Sequence, residues 1–148
     1  MRCRQQNASH RIALLVGWLF ICFSVNAEAE IAVVVHSSNS VKTMTLEELN
    51  HVFTKKIKKF SNGLRIIPVG QSNKNLITAS FNKKVLGKSN RQLRHFWTRR
   101  MFSSNGSPPR VLVDDLEVID FVSANRKAIG YINKNAVTDG VKILLIIP

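Results

Sequence analysis

Ile31-Ala32-Val33-Val34-Val35, followed by the polar run His36-Ser37-Ser38-Asn39-Ser40, is the stretch that decides the fold class. A strand with one face in water alternates apolar and polar residues. Five apolar residues in succession predict instead a strand covered on both faces, placed inside a sheet. Downstream of the polar run, Thr45 can cap a helix while Glu48, three residues on, completes a capping box. Leu46, Leu49 and Phe53 are the expected buried stripe of that helix. After an Asn62-Gly63 turn, residues 65–69 read as a second strand, ended by Gly70.

The helical period then dominates. Residues 76–86 and 90–101 read as two helices separated by Gly87-Lys88-Ser89, with Ser89 as the N-cap of the second. Ile77, Phe81 and Val85 are expected to be buried on the first, and Leu93, Phe96, Trp97 and Met101 on the second. Residues 103–109 form a Ser/Asn/Gly/Pro loop. Asp114-Asp115 opens a further helix carrying Leu116, Ile119 and Val122, with its acidic pair at the positive end of the helix dipole. Residues 128–132 and 141–147 read as closing strands, with Asp139-Gly140 as the turn before the last. Strands alternating with helices predict a layered α/β domain.

The N-terminus reads as an address. Arg2, Arg4 and Arg11 precede an apolar run over residues 12–25, and Val25-Asn26-Ala27 places small residues at the −3 and −1 positions of a cut. The run is shorter than the roughly 20 residues of a membrane span. Ile21 precedes Cys22 where a lipobox needs Gly, Ala or Ser. Residues 1–27 are therefore expected to be a signal peptide, residues 28–148 the mature domain, and the bacterial periplasm its compartment. The leader holds both cysteines, Cys3 and Cys22, and three of the charges in a net +13, so the mature chain is expected to be cysteine-free at +10.

That charge is local. Fourteen Lys and Arg lie between Glu48 and Asp114, and not one acidic residue. Because the segment also carries apolar periodicity, it is expected to fold into a surface of positive potential that draws in anions. Nucleic acid is the common partner of such a balance, but export argues against it, and no aromatic platform is interleaved with the basic residues. His36, His51 and His95 are too scattered for metal-ligand spacing. The serines lack a nucleophile elbow and a base in reach. The reading therefore assigns no catalytic residue, no metal and no cofactor.

Taken in order, several segments resemble the phosphate-binding component of bacterial phosphate ABC transporters, and more closely its small single-domain periplasmic relatives. They are Val52-Phe53, Lys56-Ile57 with Phe60 and Gly63, residues 66–69, Phe81, Phe96-Trp97, Phe102 with Gly106-Ser107-Pro108-Pro109, and Ala128-Ile129-Gly130-Tyr131. The resemblance spans residues 31–135. It implies a single periplasmic-binding-protein-like domain, a mixed sheet flanked by helices, that binds a small oxyanion such as phosphate and works with an ABC permease. The family's anion-cradling Arg-Ser-Asp-Gly-Ser-Gly-Thr stretch falls on residues 71–77, where only Ser72 is shared and Gln71 replaces the arginine.

In open α/β sheets, ligands gather at the carboxyl ends of strands. The expected ligand-binding residues are therefore Ser37, Ser38 and Asn39 after the first strand, and Gln71, Ser72, Asn73 and Asn75 after the second, all along one edge. The same residue types also suit ordinary turns. A rival reading keeps the fold without transport: a periplasmic interaction module whose basic face engages an acidic protein or an anionic envelope surface.

Overall fold

The computed structural model describes residues 29–148. The expected leader lies outside the described residues. Five strands form one mixed sheet in the order β3-β2-β4-β1-β5: β1 (Ile31–His36), β2 (Ile67–Gln71), β3 (Arg110–Leu112), β4 (Ala128–Asn133) and β5 (Val141–Ile147). The helices α1 (Leu46–Phe53), α2 (Leu76–Phe81), α3 (Asn90–Phe102) and α4 (Asp115–Ala124) cover it.

The unbroken apolar run of β1 has a structural cause. β1 lies between β4 and β5, and its residues alternate between two cores. Ile31, Val33 and Val35 pack with α1, α2 and α3 on one face, while Ala32 and Val34 pack with α4 on the other. All five are fully buried. β4 has the same double duty, and Gly130 marks its closest approach to α4: a Cβ there would sit 2.7 Å from Val118 Cγ1 and 3.1 Å from Val69 Cγ2.

The caps are formed as expected. The Glu48 N–H donates to Thr45 Oγ1 at 3.2 Å and the Thr45 N–H to Glu48 Oε2 at 2.8 Å. Ser89 and Gln92 repeat the box at α3, and Asp114 Oδ1 accepts the Glu117 N–H at 3.0 Å.

Several expectations are corrected. Leu46, Met101 and Leu116 are exposed, at 47%, 52% and 69%. Leu46 and Leu116 sit in first turns, and α1 and α4 bury Val52 and Val118 instead. Met101 lies in the last turn of α3, which reaches past the packed layer and leaves Phe102 exposed as well. The second strand begins at Ile67, not Arg65, and does not end at Gly70. Its parallel ladder with β3 pairs Val69, Gly70 and Gln71 with Arg110, Val111 and Leu112. β3 itself, at three residues, is too short to show in a periodic pattern. The single helix expected over residues 76–86 is α2 followed by a wider π turn (Asn82–Leu86), which turns Asn82, Val85 and Leu86 inward before Gly87 closes it at φ 61°.

Strand direction decides at which edge of the sheet each loop emerges. β2 runs parallel to both β3 and β4, whereas β1 is antiparallel to β4 and β5. β1 alone runs against the other four.

Candidate functional site

Because β1 is reversed, its carboxyl end lies beside the start of β4, and that of β2 lies beside the end of β4. The seven residues expected along one edge are divided between two opposite edges. Ser37 and Ser38 sit in an exposed turn, where the Ser38 N–H donates to His36 Nδ1 at 3.0 Å. Asn39 is buried and braces its loop: Oδ1 accepts the Val41 N–H at 3.0 Å, and Nδ2 donates to the Arg126 carbonyl at 3.4 Å. Its carbonyl accepts from Lys142 Nζ. These contacts are turn chemistry and leave Asn39 no polar group aimed at a ligand.

The carboxyl edge of β2 keeps the other four together. Gln71 is only 3% exposed, and its amide is fully engaged. Nε2 donates to Asp115 Oδ1 at 2.6 Å and to the Tyr131 carbonyl at 2.9 Å, while Oε1 accepts from Asn75 Nδ2 at 2.9 Å. Asn75 also donates to the Val113 carbonyl at 2.9 Å. Both side chains therefore tie β2 to the start of α4. Ser72 and Asn73 remain available. The Ser72 hydroxyl receives only the Lys74 N–H, at a long 3.4 Å, so its own proton is free to donate, and Asn73 is exposed.

Beneath this edge opens a cleft of about 330 Å³, lined by Asn73, Phe53, Phe81, Leu93, Trp97 and Tyr131 among others. Tyr131 organises its floor. The ring stacks on Phe81 at 3.9 Å between centroids and 10° between planes. The hydroxyl accepts the Gln71 N–H at 3.2 Å and donates to Thr78 Oγ1 at 3.3 Å. Burial pushes the phenol above its usual value, and its hydrogen bonds with Thr78 and Gln71 offset this in part. Sequence reading did not single out Tyr131 as more than part of a family pattern. Its being the only tyrosine, between a buried strand and a polar loop, was the available signal.

A second, larger cleft of about 1250 Å³ lies at the amino-terminal ends of β2, β3 and β4, lined by Lys55, Lys58, Arg65, Arg100, Arg110 and Lys127 with the loop over residues 104–108. Five of these six cations belong to the acid-free segment. Asp114, Asp115 and Glu117 stand at the other end of the sheet, in the cap and first turn of α4. Among the described residues, no three His, Cys, Asp or Glu are grouped as metal ligands would be.

No family model matches the chain, and no curated protein matches it in sequence. Solved structures do. A protein assigned as a phosphate ABC transporter substrate-binding protein from Clostridium perfringens, determined with bound phosphate, superposes with a TM-score of 0.62 at 23% identity, over 78% of this chain and 45% of its own. An ABC-type phosphate transport receptor from Vibrio cholerae gives 0.62 at 20%, over 78% and 46%. PstS from Borrelia burgdorferi gives 0.57 at 17%, over 78% and 47%. At such identities the likeness is one of fold, and it establishes a periplasmic-binding-protein-like α/β domain. The chain spans about half the length of these proteins.

Proposed function

We propose that this chain is an exported, non-enzymatic solute-binding-like domain that takes a small oxyanion such as phosphate at the carboxyl edge of β2 and serves an ABC permease. The observation that carries the reading is the likeness in fold to phosphate-binding proteins, combined with the position of the Ser72-Asn73-Lys74 loop at the end of a parallel strand, where α/β sheets hold ligands. Export rests on the leader-like residues 1–27. Intact-mass analysis of periplasmic material is expected to show a chain beginning near Glu28; a chain retaining residues 1–27 would refute cleavage.

The geometry makes binding weak. Gln71 stands where the related motif has arginine, and its amide is committed to Asp115 and Asn75. The Ser72 hydroxyl, the Asn73 amide and the Lys74 ammonium remain as donors. Hydrogen bonds to a charged group contribute about 1.5–3 kcal/mol each, so the missing guanidinium fork costs at least about tenfold in affinity. Calorimetric titration with phosphate and sulfate tests this. Saturable binding weakened by Ser72→Ala and Asn73→Ala supports the reading, and the absence of heat with either anion refutes it. The rival interaction module finds its support in the basic cleft, and salt-sensitive capture of anionic vesicles or an acidic protein, without oxyanion binding, would favour it.

A further inference from the structure

The basic cleft at the amino-terminal ends of β2, β3 and β4 has no part in that reading. Six cations line it, no carboxylate does, and among the described residues none of the six has an ion-pair partner. Ordinary solvated lysines spread apart. Here Arg100 and Lys55 are fixed by neutral contacts. Arg100 Nη1 donates to the Thr54 carbonyl at 3.0 Å, and its Nη2 and Nε to the Asn105 carbonyl at 3.0 and 3.3 Å. Its guanidinium also packs over Phe96 and Trp97, 5.4 and 5.6 Å from the ring centroids. Lys55 donates Nζ to the Pro108 carbonyl at 3.3 Å from a left-handed backbone, φ 57°, which a lysine adopts only at a cost. These bonds join the end of α1 to the loop over residues 104–108 and fix both walls. Lys55 records the result: burial first, then Arg100 and Arg65, pull its ammonium below the usual lysine value.

We propose that this cleft is a second anion site, built for a soluble, compact anion carrying several phosphate groups. A single phosphate fills a small part of a cleft of about 1250 Å³, whereas six cations spread around it suit a longer multivalent anion. Gly106 and Ser107 line one wall. No aromatic side chain lines the cleft, so stacked bases of a single-stranded nucleic acid find no platform. Its concave shape favours an enclosed ligand over a flat membrane.

The test is calorimetric titration of the purified chain with sodium tripolyphosphate and with orthophosphate, at about 50 and 200 mM salt. Tripolyphosphate is expected to bind one to one, at least about tenfold more tightly than orthophosphate, and more weakly at the higher salt. The β2 edge is a separate site, so failure of orthophosphate to bind there would leave this result intact. The exposed pair Lys58→Glu with Lys127→Glu should lower tripolyphosphate affinity at least about tenfold. Lys83→Glu with Arg91→Glu changes net charge equally outside the cleft and should lower it less than about threefold at 200 mM salt. Tripolyphosphate should also shift the amide resonances of residues 55–65 and 104–110 in the parent chain, a readout independent of any variant's folding. No binding, equal loss in both charge-reversal pairs, or binding to anionic vesicles without tripolyphosphate binding would overturn the proposal.

Discussion

Tyr131→Phe removes one oxygen from the junction of β2, β4 and α2. The ring remains stacked on Phe81, so the perturbation is confined to hydrogen bonding. Two partners lose it: the Gln71 N–H at 3.2 Å and Thr78 Oγ1 at 3.3 Å, both on residues 3% exposed. Thr78 can rotate its hydroxyl, but the buried Gln71 N–H loses the Tyr131 oxygen, and a buried donor left unpaired costs about 1–3 kcal/mol. A loss of about 2 kcal/mol should lower the melting temperature by about 5–10 °C in a domain of this size. Calorimetry or a urea titration reads it, and a melting temperature within about 2 °C of the parent would refute the bond as the anchor of Gln71. A second readout comes from titration. Tyr131 is the only tyrosine, so the phenolate absorbance of the native chain belongs to it alone. Its midpoint should lie above the ordinary value near 10. The folded state holds this proton more tightly than the unfolded chain, so its contribution to stability is fully present below about pH 10 and is lost as pH rises through the higher folded value. A midpoint equal to that of the urea-unfolded chain would contradict the buried placement.

Gly130→Ala should destabilise by about 1–3 kcal/mol, because its methyl meets Val118 at 2.7 Å; a neutral result in a denaturant titration would mean that α4 sits further from β4. Trp97→Ala, which empties a buried site between α3 and the sheet, should cost about 3–5 kcal/mol, and unchanged melting would show α3 to be rotated. Gln71→Arg alone should leave phosphate affinity within about threefold, because Asp115 is placed to take the guanidinium. Pairing it with Asp115→Asn should tighten binding about tenfold in a calorimetric titration, and a tenfold gain from the single change would show that Asp115 does not compete.

Much of the fold was legible because its signals are local. The apolar run of β1 reports burial on both faces whatever the order of the strands, and Thr45, Ser89 and Asp114 announce helix starts through bonds spanning three residues. Leu46, Leu116 and Met101 misled because they stand in terminal turns, where helical period continues after the packing surface ends. The site was less legible because it depends on direction. Nothing within residues 31–36 distinguishes a strand running with β2 from one running against it. That single reversal carries Ser37, Ser38 and Asn39 to the edge opposite Ser72 and Asn73. The basic segment was visible as composition. Its convergence on one cleft was not, because Lys127 joins from outside the run and Arg100 is positioned by carbonyls of Thr54 and Asn105.

The proposed oxyanion site is tested most directly by following backbone amide resonances of the purified chain during titration with orthophosphate. Saturable shifts concentrated in residues 72–76, with those of residues 37–39 unmoved, are the expected result. Shifts absent from residues 72–76, whether confined to the basic cleft or missing altogether, would contradict it.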